Sequence, residues 1–207
     1  MELRYAVVPC PLGRLLVAAT ERGIAAVYLG DSERRLRGEL GSQFPGARIR
    51  EDRKGLGRQA AEAIARHLRG RQALPDWPLD LRATAFQRRV WEELRRIPCG
   101  ATRSYGEIAE AIGKPRAARA VARACATNPA SIVIPCHRVV GKDGALAGYR
   151  WGLGRKRALL EMETANVQGR GRPAAPRRAS KPRTHQNAQP ARAHVSTIRA
   201  KRFAETR

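Results

Sequence analysis

Residues 131–140, Ser-Ile-Val-Ile-Pro-Cys-His-Arg-Val-Val, set the tightest condition on how this chain can fold. Apolar side chains flank a thiol, an imidazole and a guanidinium, so the stretch must be buried while its polar groups still find partners. Free cysteine alone packs as a small hydrophobe. A histidine beside it changes the chemistry, because imidazole takes a proton near neutral pH and the thiolate is the nucleophilic form. Cys136 is therefore the candidate nucleophile. Neighbours in an extended segment point to opposite faces, so Cys136 and His137 cannot bond as strand neighbours. In isolation the pair reads more readily as a buried cysteine beside a hydrogen-bonded histidine. Pro135 forces a bend, and a bridging water could join thiol to ring.

At 207 residues the chain fits one domain or two small ones. Lys and Arg number 41 against 18 Asp and Glu, a formal net charge of +23, which points to a polyanion: nucleic acid or an acidic membrane surface. No apolar run is long enough for a membrane span, and Met1-Glu2-Leu3-Arg4 lacks a signal-peptide core. A soluble, cytoplasmic protein with no membrane partner is expected. Cys10, Cys99, Cys125 and Cys136 form no C-x-x-C pair and the four histidines are scattered, so neither a metal site nor a disulfide framework is expected.

Residues 3–8, 14–20 and 24–29 are short apolar runs separated by turn residues and read as an antiparallel meander. Ser32 offers an N-cap for a helix ending at Gly41. A second helix over 58–69 carries Ala60, Ile64 and Leu68 on one stripe, with Gly70 as its stop and His67 in a structural or surface role. Pro75 and Pro78 mark a linker. From Thr84 the pattern turns helical. Thr84–Gln87 and Ser104–Glu107 are capping boxes, Gly113 ends the helix opened by the second, and Pro115 suits the first position of the next, to about Ala126. This pair has the length and turn chemistry of a helix-turn-helix. On its second helix Arg116, Arg119 and Arg123 share one face, with Ala118, Val121 and Cys125 opposite, and alanines keep it slim enough to approach a phosphate-lined groove. DNA is the expected partner. A last helix spans 153–163, bringing Leu159 and Leu160 to the core and one of Glu161 and Glu163 to a buried site. From residue 166 on, eleven Lys or Arg face one Glu, with little to bury, so a disordered basic tail is expected. Deleting 169–207 should weaken DNA binding at low salt and spare the chemistry.

Residues 84–163 resemble the O6-alkylguanine-DNA alkyltransferases, especially the C-terminal half of the bacterial adaptive-response (Ada) protein. The resemblance rests on Phe86-Gln87, Val90-Trp91, Ile97-Pro98-Cys99-Gly100, Ser104-Tyr105, residues 114–121 (Lys-Pro-Arg-Ala-Ala-Arg-Ala-Val), Asn128-Pro129, residues 134–139 (Ile-Pro-Cys-His-Arg-Val), residues 148–152 (Gly-Tyr-Arg-Trp-Gly) and Leu159-Leu160, in order and at compatible spacing. It implies an α+β fold: a small N-terminal α/β, ribonuclease-H-like domain (1–78) and a mostly helical, winged helix-turn-helix-like alkyltransferase domain (79–167); the basic tail (168–207), read from composition, has no counterpart in the family.

The resemblance also implies single-turnover transfer of an alkyl group from a flipped-out O6-alkylguanine in duplex DNA to Cys136. His137 would deprotonate Cys136 through a water, Glu163 would orient His137, Tyr105 would protonate the leaving guanine, and Asn128 would hold the turn. Arg119 would fill the gap in the base stack from the minor groove, with Ser104, Tyr105, Arg116, Ala117, Ala118 and Arg123 along the DNA. Val139, Tyr149, Arg150 and Cys125 would line the base pocket. No cofactor is implied, and the protein should act as a monomer. The zinc-binding cysteines and histidines found near the N-terminus of some relatives have no counterparts, Cys10 standing alone, and the adaptive-response protein's own N-terminal region with its metal-bound cysteine is not matched, so phosphate-methyl repair and transcriptional activation are not expected. A non-reacting damage sensor or helix-turn-helix regulator, and a Cys-His-Asn hydrolase using Cys136, His137 and Asn128, remain the alternatives.

Overall fold

The computed structural model describes residues 1–70 and 72–170. It opens on the expected antiparallel meander, β1 (Glu2–Cys10), β2 (Gly13–Thr20) and β3 (Gly23–Gly30). Gly23 turns the chain into β3 with φ of 148°, and a Cβ there would strike the backbone of Pro78 and Leu79. Alternate strand residues point to opposite faces, so the near-continuous burial of β3 means that both faces are covered. The cover comes from α1 (Glu33–Gln43) and α2 (Leu56–Leu68).

Ser32 caps α1 as expected, but the helix passes Gly41 and ends at Phe44. Nothing stands within 4 Å of a Cβ built on Gly41, so it lies on an open face and costs only helix propensity. A short strand that the sequence reading missed, β4 (Arg48–Glu51), pairs parallel with β1 and gives the order β3-β2-β1-β4. Asp52 then anchors α2: its buried carboxylate accepts the N–H groups of Gly55 at 2.6 Å and Gly57 at 2.9 Å, placing an anion at the helix N-terminus.

The Pro75–Pro78 stretch is more than a linker. Ile24 N–H donates to Pro78 O and Asp80 N–H to Ile24 O, both at 2.9 Å, and Asp80 also takes Thr20 Oγ1 at 2.6 Å and Arg22 Nη2 at 2.8 Å. One apolar core runs across this seam from Leu3 to Leu159.

Beyond it come α3 (Ala85–Arg95), β5 (Arg103–Ser104), α4 (Tyr105–Ala111), α5 (Ala118–Ala126), β6 (Val139–Val140), paired parallel with β5, and α6 (Leu153–Arg170). Both expected capping boxes are present in full. Pro115 does not open α5: a turn closed by Ala117 N–H to Lys114 O at 2.8 Å comes first, and Arg116 sits in that turn. Helix α6 outruns its expected end at Glu163 and reaches Arg170. Its last turns lie against two glycines of positive φ: a Cβ on Gly70 would meet Asn166 and one on Gly100 would meet Val167. The expected tail at 168–207 thus begins in helix, and its residues 171–207 lie outside the described residues. The whole is an α+β fold, a small sheet with its helices followed by a helical part that contains the α4–α5 helix-turn-helix.

Candidate active site

Where α5 ends, the chain folds into a tight loop rather than the extended segment assumed from sequence. Asn128, almost fully buried, accepts Ala130 N–H at 3.0 Å through Oδ1; its Nδ2 donates to Ile134 O at 2.8 Å and to Cys136 Sγ at 3.1 Å. Ile134 N–H returns to Ala130 O at 2.8 Å. Inside this loop Ile132 has φ of 76°, the sole positive value outside glycine among the described residues, and a β-branched residue there stores about 1–3 kcal/mol. Pro135, at φ −81° and ψ 60° with Cys136 N–H on Ile134 O, forms an inverse γ-turn. A single 3-10 turn, Cys136–Arg138, follows. The bend expected of Pro135 is real, and it removes the strand alternation that would have put Cys136 and His137 on opposite faces: both are buried, 5% and 1% exposed.

Their hydrogen bonds run in different directions. His137 Nε2 lies 2.8 Å from Glu163 Oε1, while Nδ1 is buried and bonds to no protein atom. Glu163 is also gripped by Arg138, whose Nε and Nη2 reach it at 2.8–3.1 Å, and by Gly100 N–H at 3.1 Å. Burial pushes the Glu163 carboxyl up, but the bonds from His137 and Arg138 outweigh it and bring it to about 2. An ionised carboxylate only accepts, so the shared proton belongs on Nε2, and Nδ1 is left as a basic lone pair. Burial, against the pull of Glu163, holds His137 below its ordinary value. Burial likewise raises the Cys136 thiol, opposed by the Asn128 bond and the charge of Lys156. Thiol and imidazole therefore rest neutral. The hydrolase alternative fails on this geometry: Asn128 bonds Cys136, whereas in a Cys-His-Asn triad the third group orients the histidine.

Lys156 was missed by sequence reasoning. It is 0% exposed, and Nζ donates to Val139 O and Ala147 O at 2.6 Å and to Gly148 O at 3.3 Å. One lysine in so basic a chain draws no attention, yet its spacing to Leu159 and Glu163 puts it on the inward stripe of α6, whereas Leu160, expected in the core, is half-buried toward the outer face. Tyr105, first residue of α4, donates from its hydroxyl to Ala147 O at 3.2 Å. Burial and then the nearby Cys125 and Cys136 push its hydroxyl up to about 12. Tyr149 buries its hydroxyl beside the Ser131 side chain, and burial followed by Cys136 keeps that group well above its usual range. Val139, Tyr149 and Cys125 thus gather with Tyr105 around Cys136, and Cys125, buried on α5, has its thiol raised chiefly by burial. The Arg150 guanidinium is instead engaged with Glu39 at 3.1 Å through Nε and stacked beside Tyr28 and Trp151.

On the helix-turn-helix, Arg119 and Arg123 are exposed on α5 and Arg116 is exposed in the turn before it. Ala117 is the N-cap position and Ala118 the first helical residue, both half-buried. Ser104 caps α4, its Oγ accepting Glu107 N–H at 3.2 Å. Among the described residues no group of three or more His, Cys, Asp or Glu side chains could hold a metal ion, and no helix is long and apolar enough to cross a membrane.

Comparison with known proteins gives the same outline. Residues 85–165 match the DNA-binding domain of the 6-O-methylguanine DNA methyltransferases and residues 3–51 their ribonuclease-like domain. The chain is 51% identical over 168 residues to the bifunctional transcriptional activator/DNA repair enzyme Ada of Escherichia coli, covering 81% of this chain and 47% of that protein. It thus spans about half the length of that relative. Against the methylated-DNA–protein-cysteine methyltransferase of Methanosarcina barkeri identity is 40%, over 79% of this chain and 99% of that one. The crystal structure of Mycobacterium tuberculosis O6-methylguanine methyltransferase superposes with a TM-score of 0.67 at 38% identity, covering 84% of this chain and 96% of that one; the crystal structure of Mycobacterium tuberculosis OGT in complex with DNA gives 0.66. With both parts matched in order, and one relative matched over nearly its whole length, the chain belongs to the 6-O-methylguanine DNA methyltransferase (methylated-DNA–protein-cysteine methyltransferase) family.

Proposed function

We propose that this protein repairs O6-alkylguanine in duplex DNA by moving the alkyl group, once per molecule, onto Cys136, as the alkyltransferase half of an Ada-like protein would. The observation that carries the reading is the pairing of a buried, Asn128-tethered thiol with a buried histidine whose free nitrogen is made basic by Glu163. The exposed arginines of α5 stand on the same helix whose end carries that tether.

The target atom is inside the duplex, so the nucleotide must leave the stack to reach a buried thiol. Entry of the slim α5 into the minor groove reads little sequence, which suits a search for damage. Arg119 takes the place of the departed base, while Arg116, Arg123 and Ser104 lie along the backbone. In the closed pocket the thiol proton passes through one water to His137 Nδ1. The sulfur attacks the alkyl carbon, a C–S bond forms, and the C–O6 bond breaks. Tyr105, whose raised hydroxyl keeps its proton until a stronger base appears, gives that proton to the departing guanine. The imidazolium and tyrosinate then neutralise each other through solvent. The thioether has no neighbouring group that reverses it, so the molecule is spent. The reaction draws on no cofactor, and the protein works as a cytoplasmic monomer with a part boundary near residue 78.

Mass spectrometry after mixing with duplex containing O6-methylguanine tests this. One methyl group is expected on the peptide that holds Cys136 and none in Cys136→Ala. Unmodified protein bound to an intact lesion would instead make this a damage sensor. For the wedge, Arg119→Ala should slow repair of a paired lesion by about tenfold, and much less in single strands, where there is no stack to fill. Equal slowing in both would remove Arg119 from that role.

A further inference from the structure

We infer that Glu39, on α1 and 111 positions from its partner, governs how large an alkyl group the site admits, by latching the outer wall of the base pocket through Arg150. The inference rests on the function proposed above and adds a residue from the sheet side of the molecule to it. The segment 147–152 carries Tyr149 past Cys136, and its two halves are held differently. The inner half is pinned from within the helical part, by Lys156 on the carbonyls of Ala147 and Gly148 and by Tyr105 on Ala147. The outer half, Arg150 and Trp151, is held by Trp151 Nε1 on Ser131 Oγ at 2.7 Å, by Arg155 Nη1 on Trp151 O at 3.0 Å and by the Arg150–Glu39 pair. In that pair Nε and Nη2 both reach Glu39 Oε1, and the guanidinium sits 5.1 Å from the Tyr28 ring centre and 5.0 Å from that of Trp151.

Trp151 itself packs against Tyr28 in the core, but beside Arg150 the outer half borders open space. A cleft of about 520 Å³ opens between Arg150, Trp151 and the start of α1, reaching Gly30 and Leu36. A wall backed by a cleft can yield, so its position depends on its fastenings. The charges along the cleft make Glu39 hard to replace. Arg34, Arg35 and Arg155 repel Arg150, and Asp31, the other carboxylate there, is taken by Arg155 Nη2. Without the Glu39 charge, Arg150 keeps like-charged neighbours and two ring faces, and its part of the wall beside Tyr149 yields outward more readily while Trp151 stays fastened. A methyl group gains nothing from such movement, whereas a benzyl group does.

The test is the rate of alkyl transfer to Cys136 from duplex O6-methylguanine and from O6-benzylguanine, in wild type, Glu39→Gln and the exchange Glu39→Arg with Arg150→Glu. Glu39 is half exposed between the buried Leu36 and Leu40, so its substitution leaves the α1 packing in place. Glu39→Gln should keep the methyl rate and raise the benzyl-to-methyl ratio about threefold to fivefold, the factor that a half-exposed ion pair supports. The exchange should bring the ratio back toward wild type. Hydrogen exchange in 148–152 should quicken in Glu39→Gln while α1 stays protected. An unchanged ratio, or both rates falling together, would overturn the latch. No alkylation of wild-type Cys136 by either substrate would overturn the proposed function and the latch with it.

Discussion

Replacing Glu163 with glutamine should slow alkyl transfer by about a hundredfold, the scale of losing a correctly oriented base. The amide keeps the shape but no longer fixes which ring nitrogen of His137 carries the proton, so Nδ1 ceases to be a reliable acceptor. The same substitution should change how stability varies with pH. In the folded protein Glu163 sits at about 2 against an ordinary value of 4.5. A depressed carboxyl stabilises the fold above its unfolded value and loses that contribution as pH falls through its folded value, here from about 4.5 to 2. Because Glu163 is almost fully buried, the contribution is about 3 kcal/mol at neutral pH. Urea denaturation of wild type and Glu163→Gln should therefore differ by about that amount at pH 7 and converge toward pH 2. A gap that stays constant across this range would mean that Glu163 acts by packing and not by charge.

Lys156→Met should be the most damaging single substitution outside the reacting groups. Methionine fills much of the space but removes the only side-chain donor described for the carbonyls of Val139 and Gly148, while Ala147 O keeps the Tyr105 hydroxyl. Each orphaned acceptor costs about 1–3 kcal/mol, partly relieved if the loop opens to water, so a loss of about 3–4 kcal/mol is expected. For a domain of this size the thermal midpoint should drop by about 10 °C. Transfer should also slow, since Lys156 is the cation that favours the Cys136 thiolate. A midpoint within about 2 °C of wild type would show that the carbonyls of Val139 and Gly148 find other donors.

What the sequence made legible was chiefly local. The capping boxes at Thr84 and Ser104 are written within four residues each, and both form as read. The meander was visible because each run alternates with turn residues. β4 was not, because Arg48-Ile49-Arg50-Glu51 offers one half-buried side chain and owes its conformation to the edge of β1. Gly41 and Pro115 misled for a related reason: each has a preferred position, but an open helix face tolerated the first and a preceding turn absorbed the second. Around Cys136 the residue types pointed to nucleophile, base and carboxylate, and the resemblance supplied the roles. Spacing could not supply the inverse γ-turn, the positive φ of Ile132 or the joining of Arg150 to Glu39, which depend on residues brought together from elsewhere.

The seam at residues 78–80 bears on where the chain can be cut or lengthened. Because Pro78 and Asp80 continue the sheet's hydrogen bonding along β3, a protease nick nearby would leave two pieces clasped together, and an inserted domain there would pry the core open. Gly46 and Gly144, with nothing near a Cβ built on either, are where a tag or a circular-permutation break would be borne most easily.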